Sequence, residues 1–171
     1  MVGATWALRW YTGTAMKLSV GAQIEIPKPP EQVFDLAVSC DGLVQILRPV
    51  GVIPGVAKAE MNGGAKPATG ARRSVTMTDR STMDEEIILF ERPSRHVYRW
   101  ANRPALPFSL LVRSGEGDWT FSPSGSGTRV DWLYTFELTT PLVRPLAALV
   151  LSAFQKWMAR GLETLSAKLV G

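Results

Sequence analysis

Apolar and polar positions alternate strictly near the middle of the last third of the chain. Val130, Trp132, Tyr134, Phe136 and Leu138 interleave with Arg129, Asp131, Leu133, Thr135 and Glu137. Successive side chains on a strand point to opposite faces, so this pattern predicts a strand with one broad aromatic face and one largely wet face. Pro141 and Pro145 then introduce a helical pattern running roughly from Leu142 to Leu169. A face that wide needs a large cover, and this helix is the natural one. Trp and Tyr also carry a polar tip, so the face suits a cavity as well as a packed core.

Upstream, Leu18 to Ile26 alternates as a strand and Pro27 to Pro30 breaks it. Proline is tolerated in a first helical turn, so a helix is predicted from Pro30, through Val33, Phe34 and Leu36. Cys40-Asp41-Gly42 is read as its end, with a second short helical turn over Leu43 to Leu47. Strand-length runs follow at Val56–Met61, Ala71–Thr78, Met83–Glu91, Arg95–Asn102, Phe108–Arg113 continuing to Trp119–Phe121, and Thr128–Leu138. Asn62-Gly63-Gly64, Arg92-Pro93-Ser94 and Pro123-Ser124-Gly125 read as turns between them. Gly115-Glu116-Gly117 and Gly125-Ser126-Gly127 also read as turns. Neither follows a strand and opens a helix, as a phosphate loop must. Hairpin-like connections predict an antiparallel sheet.

The final helix places Leu146, Val150, Phe154, Trp157, Met158, Gly161 and Leu165 along one side, and Ser152, Gln155, Lys156, Glu163 and Ser166 on the other. A glycine inside a helix costs about 1 kcal/mol relative to Ala. Gly161 therefore implies close backbone approach, space for a ligand, or tight helix–sheet packing. The apolar run Leu146 to Leu151 is far too short to cross a bilayer, which leaves only peripheral membrane contact.

Composition narrows the chemistry. At 171 residues, with 46% hydrophobic and 20% charged residues, the chain is long enough for a substantial core. The net charge of +4 is spread along the chain, with Arg72-Arg73, Arg92, Arg95, Arg99 and Arg103 interleaved among acids or apolar residues. That reads as solvated strand faces rather than a nucleic-acid footprint. A single cysteine, Cys40, excludes an internal disulfide and fits a reducing, cytoplasmic compartment. With one histidine, His96, and one cysteine, no metal site of the usual nitrogen and sulfur ligands can be assembled, and no cofactor motif is present. Nothing around Ser94 or Cys40 resembles a nucleophile elbow. Residues 1–16 form an N-terminal extension: Met1 to Met16 carries one charge, Arg9, and lacks the build of a signal peptide or a membrane span. Met16 could itself be a start, so residues 1–15 read either as an upstream misread or as an extension packing Trp6 and Trp10 onto the surface.

The order of elements resembles the helix-grip fold of the START/Bet v 1-like (SRPBCC) superfamily, in particular its polyketide cyclase/dehydrase and lipid-transport branch. The matching pieces are Ile24-Glu25-Ile26-Pro27 leading into Pro30-Glu31-Gln32-Val33-Phe34-Asp35, and Glu85-Glu86-Ile87-Ile88 leading to Pro93-Ser94-Arg95-His96-Val97-Tyr98-Arg99-Trp100. A third is Asp118-Trp119-Thr120-Phe121-Ser122-Pro123 with Gly127-Thr128-Arg129-Val130-Asp131-Trp132. The resemblance covers residues 18 to 169. It implies an α+β fold, with a curved antiparallel sheet of six to seven strands gripping the long C-terminal helix and one or two short helices after the first strand. It also implies one ligand-binding domain over residues 17–171 with a cavity between sheet and helix. Some members catalyse cyclisation and dehydration; others bind lipids, sterols, hormones or polyketides. Fold alone does not choose among them.

Alternation places His96, Tyr98 and Trp100 on one strand face with Arg95, Val97 and Arg99 on the other. The expected ligand-lining set is Tyr98, Trp100, Trp119, Phe121, Trp132, Tyr134, Phe136, Phe154, Trp157 and Gly161, with ordinary core as the competing reading of the aromatics. On Met83–Glu91 the phase stays open, so either Glu85 or Glu86 can face inward. His96, Tyr98 and Glu86 are the candidate catalytic groups, against a hydrogen-bonded His96 and a solvent-facing acid pair. The resemblance also offers Arg73, Arg113, Tyr98 and Tyr134 as polar groups positioning a polyketide. Three functions compete: a carrier or sensor of a small hydrophobic molecule, a cyclase/dehydrase-like enzyme, and a stress or partner-regulating domain without a ligand. Apolar walls are plain in the sequence and an acid–base pair is not, so the first leads.

Overall fold

A computed structural model describes residues 16–171; the readings of the N-terminal extension lie outside the described residues, apart from Met16. The first strand, β1 (Lys17–Ile26), stops where Pro27 and Pro29 remove backbone donors. Helix α1 (Pro30–Val38) starts on a proline that fits its first turn, and buries Val33 and Phe34 completely. The chain then turns a corner at Ser39, whose extended backbone ends α1 and caps α2 (Cys40–Ile46). The Ser39 hydroxyl accepts a hydrogen bond from the Gly42 amide at 3.0 Å. A Cβ at position 42 would sit 1.6 Å from the Leu36 carbonyl oxygen, so this corner requires glycine. Cys40-Asp41-Gly42 therefore opens the second helix rather than closing the first.

Six further strands complete one antiparallel sheet: β2 (Val56–Met61), β3 (Arg72–Met77), β4 (Thr82–Glu91), β5 (Arg95–Trp100), β6 (Val112–Ser124) and β7 (Gly127–Leu138). Their order is β1-β7-β6-β5-β4-β3-β2, so the first strand closes beside the last. A short 3-10 turn at Pro141–Val143 leads into α3 (Arg144–Val170), 27 residues long, which lies against β1 and approaches β7. The fold is the α+β helix grip, with a seven-stranded curved sheet and two short helices after β1.

Three bulges reset the alternation, the first between Val56 and Lys58 of β2. Between Ile87 and Leu89 one extra residue enters β4, so Glu85, Ile87 and Phe90 share the inner face, opposite Trp100, Tyr98 and His96. A bulge between Val112 and Ser114 does the same at the start of β6. Bulges re-aim side chains and sharpen strand bending, which explains why the phase of Met83–Glu91 could not be read from spacing. Phe108–Leu110 is a 3-10 turn in the loop before β6, not the beginning of a strand.

Gly115 and Gly117, expected in a turn, lie inside the thirteen-residue β6. They face Phe136 and Tyr134 across the β6–β7 ladder. A Cβ at Gly117 would fall 2.4 Å from Tyr98 Cζ, and one at Gly115 would fall 2.9 Å from Tyr134 Cε1 and 3.0 Å from the Trp100 indole. The missing side chains are what let large rings lie flat across the strand. Gly125, by contrast, turns the β6–β7 hairpin with φ +55°.

The arginines of the outer face pair across strands: Arg95 with Asp118 at 2.8 Å, Arg99 with Glu116 at 2.6 Å, and Arg72 with Glu86 at 3.4 Å. On α3, Ala147, Leu151, Met158, Leu162 and Leu165 are buried, whereas Leu146 is 54% exposed. Gln155, expected on the wet side, is buried because its amide donates to the Gly21 carbonyl on edge strand β1 at 2.8 Å. Gly117→Ala is expected to lower unfolding free energy by about 1–3 kcal/mol through overpacking against Tyr98. Urea denaturation followed by circular dichroism measures it; an unchanged midpoint would mean that the ring has room to move.

Candidate functional site

The inner aromatic face divides into a solid half and an open half. Trp119 stacks on Trp132 with ring centroids 4.1 Å apart, and Phe121 meets Phe34 edge-on at 5.1 Å. Trp119, Phe121, Trp132 and Phe136 are all at most 3% exposed and pack into this core, outside the cavity lining. Gly161 is buried with them: a Cβ there would come 2.8 Å from Leu47 Cδ2, so the glycine seats α3 against the end of α2. Tight packing, one of the alternatives for Gly161, is thus the arrangement found.

The other half encloses a cavity of about 640 Å³. Its floor is Tyr98 and Trp100 of β5 with Tyr134 of β7. Its roof is Leu146, Val150, Phe154 and Trp157 of α3. Leu43 and Leu47 at α2 and Val75 and Met77 of β3 line one side, and the loop from Pro104 to Leu111 lines the other. Of the ten residues expected to line a ligand, Tyr98, Trp100, Tyr134, Phe154 and Trp157 border this space. The cavity exists because α3 presses on β1 at one edge of a curved sheet and leaves the concave side of β3 to β5 uncovered.

One polar cluster sits in the apolar wall. Arg73 and Glu85 are register partners on β3 and β4, and both border the cavity. Arg73 is 2% exposed; its Nε and Nη2 donate to Glu85 Oε2 at 2.8 and 2.6 Å, and its Nη1 donates to the Val38 carbonyl at 3.1 Å. Its guanidinium carbon lies 5.4 Å from the Tyr98 ring centre. Burial opposes the Arg73 charge, but the Glu85 carboxylate outweighs it and holds the guanidinium protonated. Both Arg73 hydrogen bonds to Glu85 fall on Oε2, leaving Glu85 Oε1 without one among the described residues.

Burial, reinforced by Glu85, pushes the Tyr98 phenol well above its ordinary value despite the opposing Arg73 charge; burial does the same to Tyr134. Both therefore remain hydrogen-bond donors at any physiological pH. The Trp157 indole N–H is buried and has no partner among the described residues. Of the other groups singled out in the sequence, Glu86 lies on the outer face against Arg72, and Arg113 is exposed, donating to the Thr139 carbonyl at 2.8 Å. His96 is 1% exposed behind the cavity wall, packed against Phe90 and Tyr98, and neither ring nitrogen has a hydrogen-bond partner within 3.5 Å among the described residues. Burial, followed by the nearby Arg73 charge, pushes its pKa down to about 3. It is a neutral, packed ring. Sequence reasoning left Glu85 and Glu86 as alternatives for the inward acid and named Glu86 as the candidate, because the β4 bulge lies two residues beyond Glu85 and breaks the alternation. The signal for Glu85 was the register with Arg73, visible only once β3 and β4 are paired.

Among the described residues no group of three or more His, Cys, Asp and Glu is arranged to hold a metal ion, and no helix is long and apolar enough to cross a membrane. The family model for polyketide cyclase / dehydrase and lipid transport matches residues 17–170. The chain belongs to that family. Several solved structures share the fold. A Thermus thermophilus protein is 26% identical over 89% of this chain and 97% of its own, with a TM-score of 0.67. Major latex-like protein 151 of Panax ginseng is 14% identical over 91% of this chain and 99% of its own, with a TM-score of 0.69. The di-domain aromatase/cyclase BexL of the BE-7585A biosynthetic pathway is 19% identical over 91% of this chain and 51% of its own, with a TM-score of 0.66. No curated protein matches the chain in sequence.

Two outcomes follow from the buried charges. Glu85→Leu leaves Arg73 buried and unpaired and should cost about 3–5 kcal/mol, whereas Arg73→Met with Glu85→Leu should recover most of that loss. Chemical denaturation of the single and double variants measures it; a double variant no better than the single would contradict the pairing. His96 titrates near 6.5 when unfolded and near 3 when folded. The unfolded chain binds the extra proton between those values, so stability from His96 is complete above pH 6.5 and declines as pH falls towards 3, by at most about 1.4 kcal/mol per pH unit. His96→Phe should flatten that part of the acid limb, and an unaltered limb would refute a neutral buried ring.

Proposed function

We propose that this protein binds a small, mostly apolar molecule that carries a neutral hydroxyl or carbonyl at one end. The family and the fold are consistent with hydrophobic-ligand binding or polyketide-cyclase-like roles. The observation carrying the finer reading is the Arg73–Glu85 pair set in an otherwise apolar wall. A cavity of about 640 Å³ lies within the usual range for a small-molecule site, and burial of apolar area supplies most of the affinity. A lone arginine there would select a carboxylate. With Glu85 already on Arg73, the cluster is close to neutral, and an anion would meet the Glu85 charge. A hydroxyl can donate to Glu85 Oε1, and a carbonyl can accept from Tyr98.

Tryptophan fluorescence tests this, because Trp100 and Trp157 border the cavity. Polycyclic alcohols and ketones should give saturable changes, with carboxylates of matched size at least tenfold weaker. Glu85→Gln should reverse that order by leaving Arg73 unneutralised. Flat titrations with every neutral compound, or equal affinity for matched carboxylates, would overturn the reading.

The same polar end supports a second reading, a cyclase/dehydrase-like reaction. Glu85 Oε1 would accept a proton from an enolisable carbon while Tyr98 donates to the adjoining carbonyl oxygen as its charge rises. His96 takes no part, being neutral and behind the wall. Tyr98→Phe should then abolish turnover while binding weakens only about fivefold, the worth of one neutral hydrogen bond.

A further inference from the structure

Seven large apolar residues among those described are more than half exposed, and four of them line the cavity, which marks where it meets solvent. Val52, Leu106, Leu110 and Leu146 border the opening itself, from three separate segments. Leu149 lies three residues beyond Leu146 on the first turns of α3, and Leu142 lies in the 3-10 turn just before that helix; they are 69% and 90% exposed. Single exposed apolar side chains are ordinary, but four on the lining of one cavity, with two more close to Leu146 in sequence, are not.

Charge is segregated on the same segments. Residues 47–55, 78–82, 101–114 and 139–151 carry Arg48, Arg80, Arg103, Arg113 and Arg144 against a single carboxylate, Asp79. None of these five arginines forms an ion pair among the described residues, whereas the arginines of the outer sheet face are paired with acids. Apolar side chains projecting from loops and a helix start, ringed by unpaired arginines, complement a bilayer with anionic headgroups. The leucines enter the acyl boundary and the arginines meet the phosphates.

We infer that the cavity mouth docks on an anionic lipid surface, so that the opening faces the membrane. The contact is peripheral, since no described helix can span a bilayer. The inference goes beyond the ligand reading and does not depend on it, because the rim is complete whether or not the cavity is filled.

Vesicle flotation with the full chain is the test, comparing phosphatidylcholine alone with phosphatidylcholine containing phosphatidylglycerol. The protein should float with the anionic vesicles, stay behind with the neutral ones, and be released as salt is raised. Leu142→Gln with Leu149→Gln removes side chains that take no part in the cavity wall, and should weaken partition at least roughly tenfold. Arg48→Gln with Arg103→Gln should weaken it roughly fivefold per arginine. Fluorescence titration with a neutral polycyclic alcohol should be unaltered in both pairs, which separates failure of docking from failure of the cavity. No flotation, equal flotation on neutral vesicles, or retained flotation in both pairs would overturn the proposal. So would a concentration-dependent dimer abolished by the leucine pair, because the rim would then be a contact between copies.

Discussion

The aromatic face of β7 has to be covered, and how it is covered determines the rest of the molecule. Trp132, Tyr134, Phe136 and Leu138 all point inward and are at most 3% exposed. Rings that large can share one side of a sheet only if the neighbouring strand gives way. β6 does so with Gly115 and Gly117, which leave room for Tyr98 and Trp100 to lie over them. The rings then form a continuous layer. The long helix presses on that layer towards β1 and lifts away from it towards β3, and the cavity is the space left between.

Apolar burial and one ion pair divide the work within that space. The solid half, from Phe34 and Phe121 through Trp119 to Trp132, supplies the stability that lets the other half stay open. An empty apolar space forfeits packing, so a hollow of this size has to be carried by the remaining core. Arg73 and Glu85 add polarity without net charge. Neither can be removed alone without stranding its partner, which makes the polar end of the cavity a fixed structural feature as well as a chemical one.

Much of this was legible in the sequence. The strand alternation of Val130 to Leu138, the prolines before α1 and α3 and the hairpin turns led to the sheet, the order of elements and the long helix. The inward placement of Tyr98, Trp100 and Tyr134 followed from period-two spacing alone. Spacing failed where the period changes. The bulge in β4 hid which of Glu85 and Glu86 faces inward, and the one at the start of β6 blurred that strand's beginning. Gly115 and Gly117 suggested a turn because their reason for being glycine lies on other strands. Gln155 looked solvated because its partner, the Gly21 carbonyl, is 134 residues away. Division of the aromatic face into core and cavity depends on where α3 lifts from the sheet, and no local pattern records that.

Methyl-resolved NMR of leucine- and valine-labelled protein, titrated with a neutral polycyclic alcohol, tests the central claim most directly. Shifts should concentrate at Leu43, Val75, Leu111 and Val150, which border the cavity, and spare Leu18, Val33, Val130 and Leu165 in the solid core. Saturating shifts at the second set with none at the first would contradict a cavity held between the uncovered strands and the helix.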